Sequence, residues 1–517
     1  MLLAELVAVS NRVGSTRARL EKVRLLSELL RRATPDEVAI GVAYLSGALP
    51  QRKVGLGYAT VHRIAQTPPA GAASLTLMEV DQAFVRMAGL KGSGSSTERQ
   101  QLLGALFSRA TAEEQDFLSR LVVGNLRQGA LEGIMADAIA QAASVPASTV
   151  RRALMFSGDA PAVARAALAQ GEAGLSGYRL QLFRPLQPML AQPAADVEEA
   201  LASLHRAALE WKLDGARIQV HREGDDVRVF SREGNDVSAA VPEVVDLARA
   251  LPARSVVLDG EAIALRPDGS PHPFQLTMRR FGRKLDVVKA KDQLPLSPFA
   301  FDVLHLDGAD LVDRPYLERM QALDALVPEA ARVPRLLTGS AEEAEAFYAR
   351  SVQQGHEGLL AKGPESLYEA GRRGASWLKL KPAHTLDLVV LAAEWGSGRR
   401  QGWLSNLHLG ARDPAAGGFA MLGKTFKGMT DAMLQWQTGW LLAHELSRDA
   451  WTVYVRPELV AEIAFDSVQS SPHYASGMAL RFARVKRYRE DKRAEEADTV
   501  EAVRKIFART HGKPEGG

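Results

Sequence analysis

The stretch "EWKLDGARIQV" at positions 210–220 places a lysine two residues after Glu210 and two before an Asp-Gly pair, with Arg217 five residues on. Lys212 is open to two readings. A lysine beside a strand is ordinarily a solvated charge. A lysine close to a second cation loses its proton more readily, and its free amine is a nucleophile. The short pattern Lys-x-Asp-Gly-x-Arg does not decide between them.

Further stretches of the same kind follow in order. "SREGND" sets Arg232 at a turn after a strand. "LDGEAIAL" carries Asp259 and Glu261. "EGLLAKG" has Glu357 and Lys362 flanking an apolar run, and "WLKLKP" puts Lys379 and Lys381 on one strand face at a spacing of two. "RFARVKRYREDKR" at 481–493 packs seven Lys/Arg against two acids. Singly, each reads as a solvated face, a structural turn or a solubility feature. Together, and in one order, so many cations and carboxylates are hard to dismiss as coincidence.

The elements that must position these residues divide the chain in three. Residues 1–178 read as helical. Leu20, Val23, Leu26 and Leu30 share one helical face, and Thr34, Pro35 and Glu37 form a helix start with a capping box. Helices are also expected in "TAEEQDFLSRLVVG" and "EGIMADAIAQAA", with a Gly/Ser break at 91–98. The proline-rich segment 182–197 reads as an extended crossing. Residues 179–385 alternate strands with helices near 315–326 and 341–353, and "ARIQVHREGDDVRVFSREG" has a hairpin pattern. From 386 to 517 the strands are short and turn-rich, as in a small β-barrel, with a closing helix near 498–511. The fold class expected is thus an all-α N-terminal domain, an α+β core and a C-terminal β-barrel.

With 517 residues, several cores are expected. The absence of cysteine excludes disulfides and thiolate zinc sites. A net charge of +3 does not by itself indicate nucleic acid. No signal peptide or membrane span is evident, so a soluble, cytoplasmic protein is expected.

The ordered set KLDGAR, SREGND, LDGE, FDVLHLDG, EGLLAK, WLKLKP and RFARVKRYREDK resembles the covalent nucleotidyltransferases, and among them the three-domain ATP-dependent DNA ligases. "LVVGNLRQGALEGIMADAIAQA", "PLQPMLA" and "VRPELVAEIAFDSVQSSP" extend the likeness over nearly the whole chain. The resemblance implies a helical DNA-binding domain, a nucleotidyltransferase core and an OB-fold. It implies a ligase that seals nicks through a lysyl-AMP intermediate in replication, repair or recombination. ATP and Mg2+ would be its cofactors and nicked duplex DNA its partner, bound by a monomer at the prokaryotic nucleoid. Lys212 would be the adenylated nucleophile. Glu210 would contact the adenine and Phe301 stack on it. Arg217, Arg232 and Glu261 would hold the ribose and phosphate region, and Glu261 and Glu357 the metal. Arg373, Lys379 and Lys381 would bind the α-phosphate, and Arg484, Arg487 and Lys492 the leaving pyrophosphate. Ala483 stands where the family commonly has proline.

In the helical region, Arg52, Lys53, Lys91, Asn125 and Arg127 are candidate DNA contacts, beside glycines that let backbone approach phosphates. RNA ligases and capping-type guanylyltransferases share the lysine motif. The helical region and the "REDK" ending favour DNA over both. The missing cysteines disfavour the NAD-dependent ligases, which usually carry a four-cysteine zinc site. A non-catalytic DNA-end clamp is the remaining alternative, and the intact set of charged residues speaks against it.

Overall fold

The computed structural model describes residues 1–126, 129, 132–283, 285–370, 376–382 and 384–511. It shows a helical N-terminal region, an α/β core and a C-terminal β-rich region. No helix among the described residues is long and apolar enough to cross a membrane.

The helical region runs from Leu3–Ser15 to Ala160–Leu175 around one apolar core. Pro35–Leu45 begins as its sequence predicts: the Thr34 side chain accepts from the Glu37 amide, and the Glu37 carboxylate accepts from the Thr34 amide. One expectation fails. Val23, Leu26 and Leu30 are buried in Arg19–Arg32, but Leu20 is 83% exposed. It lies in the first turn and stays open to solvent. The break expected at 91–98 is also shorter, because a helix starts at Ser95.

The core holds two five-stranded sheets. One orders its strands Gln192–Pro193, Trp377–Leu380, Leu359–Lys362, Ala207–Trp211 and Arg335–Thr338. The other orders Asp226–Ser231, Ala216–Glu223, Ser255–Ile263, Ser297–Leu306 and Ala309–Asp310. The expected hairpin turns at Gly224 and Asp225, with Glu223 opposite Asp226. The proline-rich crossing, expected to be extended over 182–197, instead opens with a turn at 182–184, where Phe183 has φ +64° and the Arg184 amide donates to the Gln181 carbonyl, and ends at the helix Val197–Leu204. Between them it adds a short parallel strand to the first sheet.

In the C-terminal region the strand His384–Trp395 organises a seven-stranded sheet. One edge pairs with Leu404–Asp413, and the other with Val460–Phe465 and then Thr452–Val455. Register shifts after Val390 and Glu394 bend the strand so that it serves both partners. The helix Asp431–Ala443, unforeseen from the turn-rich sequence, covers this sheet with Leu434 and Leu441. The last helix spans Val500–His511.

Candidate active site

Lys212 follows directly on the strand Ala207–Trp211. Its amide donates to the Gly358 carbonyl at 2.8 Å, and the Glu357 amide donates to the Lys212 carbonyl at 2.9 Å. These paired bonds fix Glu357 beside Lys212 although 145 residues separate them. Gly358 makes the approach possible. Its φ is +113°, and a Cβ there would stand 2.1 Å from the Leu380 carbonyl oxygen. The Lys212 ammonium forms an ion pair with Glu357 Oε2, and Lys381 Nζ holds Oε1 at 2.9 Å.

The second sheet supplies the opposite wall. Arg217 and Glu261 are cross-strand partners, which joins two distant motifs by register alone. Arg217 makes a two-bond pair with Asp259, Nε to Oδ1 at 3.0 Å and Nη2 to Oδ2 at 2.6 Å, and donates to the Met189 carbonyl. Glu261 accepts no hydrogen bond from the described residues. Between the sheets lies a cavity of about 530 Å³. Lys212, Glu210, Arg217, Arg232, Glu261, Phe301, Glu357, Lys379 and Lys381 all line it.

Three carboxylates around one amine set its charge. Burial pushes the Lys212 amine down, but Glu357, then Glu261 and Asp214, outweigh it and hold the amine above the ordinary lysine value. This corrects the sequence expectation that Arg217 would lower it. The Arg217 charge is spent on Asp259, whereas Glu357 touches the amine. Burial also raises Glu357, yet Lys212 and Lys381 prevail and hold it below the usual carboxylate range. Glu261 is pushed up to about 7, chiefly by burial, with Asp259 and Asp214 adding to the shift and Lys212 and Arg217 opposing it.

That last group fits a divalent cation. An unbonded carboxyl that resists ionising gains most from a nearby positive charge. Glu261 and Glu357 flank Lys212, and Mg2+ is commonly held by one or two carboxylates with phosphate oxygens and water completing its shell.

Not every expected residue comes to the cavity. Arg484 pairs with Asp466 at 3.2 Å, Arg487 with Glu462 at 2.7 Å and Lys492 with Asp387 at 2.6 Å, and none of the three lines it. Arg373 lies outside the described residues. In their place the C-terminal region presents Arg481 and Phe482. Arg481 pairs with Asp214 at 3.1 Å, and Asp466 reaches Lys381 at 3.2 Å. Asp214, Asp466, Arg481 and Phe482 carry no distinct signal in the sequence. Asp214 reads as a turn residue, and Arg481 is one of many in a basic run.

In the helical region Arg52, Lys53, Tyr58, Gly124 and Asn125 line one cavity of about 610 Å³, so two of the expected loops meet. Lys91 is exposed elsewhere. Arg127 lies outside the described residues.

Three family models match: "DNA ligase N terminus" over residues 58–140, "ATP dependent DNA ligase domain" over 188–381, and "ATP dependent DNA ligase C terminal region" over 400–492. A protein of Anaeromyxobacter sp. (strain Fw109-5) named "Probable DNA ligase" is 61% identical over 98% of each chain. One of the same name from Sorangium cellulosum (strain So ce56) is 57% identical over 98% of this chain and 96% of its own. The solved structure named Pmar-Lig_Pre aligns with a TM-score of 0.62 at 19% identity, covering 94% of this chain and 99% of that one, a likeness of fold.

Proposed function

Because the chain belongs to the ATP-dependent DNA ligase family, we propose that it seals nicks in duplex DNA through an AMP adduct on Lys212. The observation that carries this is the Lys212–Glu357–Lys381 cluster in a cavity that also gathers Arg217, Arg232, Glu261 and Phe301.

In the first step the Lys212 Nζ lone pair attacks the α-phosphorus of ATP. An N–P bond forms, the α–β P–O bond breaks, and pyrophosphate leaves. The amine must first shed its proton, and Glu357 is the carboxylate in contact with it. Lys379 and Lys381 would meet the charge that builds on the α-phosphate oxygens, joined by Arg373. Glu261 and Glu357 would hold Mg2+, which supplies charge neutralisation at the phosphates. Glu210 and Phe301 would hold the adenine, with Arg217 and Arg232 at the ribose. In the second step the 5′-phosphate of the nick takes AMP from Lys212. In the third the 3′-hydroxyl attacks that phosphate and AMP departs.

The regions 1–178, 179–385 and 386–517 would act as a helical DNA-binding domain, an adenylation domain and an OB-fold. Arg484, Arg487 and Lys492 would reach pyrophosphate after the C-terminal domain swings about Pro382, ahead of the strand His384–Trp395, exchanging their carboxylate partners for phosphate. Arg52, Lys53, Lys91, Asn125 and Arg127 would contact DNA phosphates, giving salt-sensitive binding with little sequence preference. A labelled nicked duplex with ATP and Mg2+ tests the reading: the 5′-labelled strand should lengthen to the ligated product, with an adenylated strand as a transient. Persistent failure with a DNA nick, alongside sealing of an RNA nick, would reassign the substrate.

A further inference from the structure

Lys362 is a fully buried lysine on the strand Leu359–Lys362, directly opposite Ala208. Its ammonium lies 2.6 Å from Glu210 Oε2 and donates to the Phe301 carbonyl at 3.3 Å. It also sits over three aromatic rings: Trp377 at 4.2 Å, Phe301 at 4.6 Å and Tyr316 at 4.7 Å from the centroids. Glu210 Oε1 accepts from the Tyr316 hydroxyl, and Arg335 stands 3.9 Å away. Lys362 and Tyr316 do not line the cavity, but Glu210, Phe301 and Trp377 do. One hidden ammonium therefore touches three side chains of the wall.

Burying an ion pair does not by itself favour stability, since a well-packed apolar pair often does as well. Its value here is directional. An ionised carboxylate only accepts hydrogen bonds, whereas a protonated one also donates. Adenine offers an exocyclic N–H donor where guanine offers a carbonyl oxygen. A carboxylate kept as a pure acceptor rewards the first and repels the second. Without the ammonium, the Glu210 carboxylate would lose the partner that fixes its Oε2 and, with it, the orientation that presents an acceptor to the base. Burial pushes the Lys362 amine down, and Glu210 is the chief group opposing that.

We propose that Lys362 is a positioning residue for nucleotide selectivity: it holds Glu210 as an acceptor and fixes the ring of Phe301, so that the cavity takes ATP in preference to GTP. The proposal rests on the assignment of Glu210 and Phe301 to the nucleobase.

The test is self-adenylation against self-guanylylation, as kcat/KM for ATP and for GTP, in the wild type, Lys362→Met and Tyr316→Phe, with thermal melting of each. Lys362→Met should lower the ATP-to-GTP ratio at least tenfold, mainly by raising KM for ATP. Tyr316→Phe removes one bond to Glu210 and keeps the ion pair, so its ratio should fall several-fold with little change in melting. If Lys362→Met does not fold, Lys362→Gln, which also removes the charge beside Glu210, takes its place and should lower the ratio as far. A purely structural lysine would reduce both activities in proportion, and an unchanged ratio in the folded variants would overturn the proposal. A wild type that forms no nucleotide adduct at all would instead overturn the assignment of the cavity.

Discussion

Replacing Glu261 with glutamine should make the unliganded enzyme more stable while impairing its first step. Glu261 lies in the cavity wall, accepts no hydrogen bond from the described residues, and has its pKa raised from the ordinary 4.5 to about 7 by burial and by Asp259 and Asp214. A carboxylate whose pKa is raised on folding costs stability once it ionises. The cost is small below the unfolded value, grows from about pH 4.5 to pH 7, and is constant above that window. At about 1.4 kcal/mol per pH unit the shift sets a ceiling of roughly 3 kcal/mol. Water in the open cleft screens the group, so about 1–2 kcal/mol is the expected net figure. For domains of this size that corresponds to a melting point higher by roughly 3–6 °C. Calorimetry of the metal-free protein at pH 8 and pH 5 measures it: Glu261→Gln should melt above the wild type at pH 8, with most of the gap closed at pH 5. Added Mg2+ and ATP should raise the wild-type melting point more than the variant's. A variant less stable at pH 8, or a gap independent of pH, would refute the reasoning.

Glu357→Gln removes the charge that holds the Lys212 amine above its ordinary value, so the alkaline rise in the self-adenylation rate should move to lower pH even as the plateau falls; stopped-time adduct assays across pH 6–10 check it. Arg487→Ala and Lys492→Ala should fail with ATP and an ordinary nick yet seal a pre-adenylated nick at close to the wild-type rate, because pyrophosphate is absent there; equal loss on both would mean a role on DNA or in folding. The double change Arg52→Ala with Lys53→Ala should reduce the salt slope of nick binding by about 2 and leave self-adenylation unchanged, as followed by fluorescence anisotropy between low and moderate salt.

The site was legible in the sequence where strand geometry does the positioning. Lys212, Arg217, Glu261, Glu357 and Lys381 sit at or near strand ends, and the register then brings them together. Pairing among the charges was not legible. Nothing in "KLDGAR" says that the Arg217 charge goes to Asp259 or that Glu357 keeps the Lys212 amine protonated, since both follow from strand neighbours 42 and 145 residues away. The motif ending in Lys492 marks its residues, but its carboxylate partners Glu462 and Asp387 depend on how the C-terminal strands pair. The burial of Lys362 was not legible for another reason: a lysine closing an apolar run looks like a surface charge, and only the aromatic rings packed around it show otherwise. Leu20 errs the opposite way, because helical periodicity predicts a face but not whether another element covers it.

The central claim is that Lys212 carries the nucleotide. Incubating the wild type with labelled ATP and Mg2+, digesting it and mapping the mass increment of AMP tests this most directly. The increment should appear on the peptide holding Lys212 and vanish in Lys212→Ala, while that variant still binds nicked duplex at near wild-type affinity. An adduct on any other lysine, or one that persists in Lys212→Ala, would contradict the account.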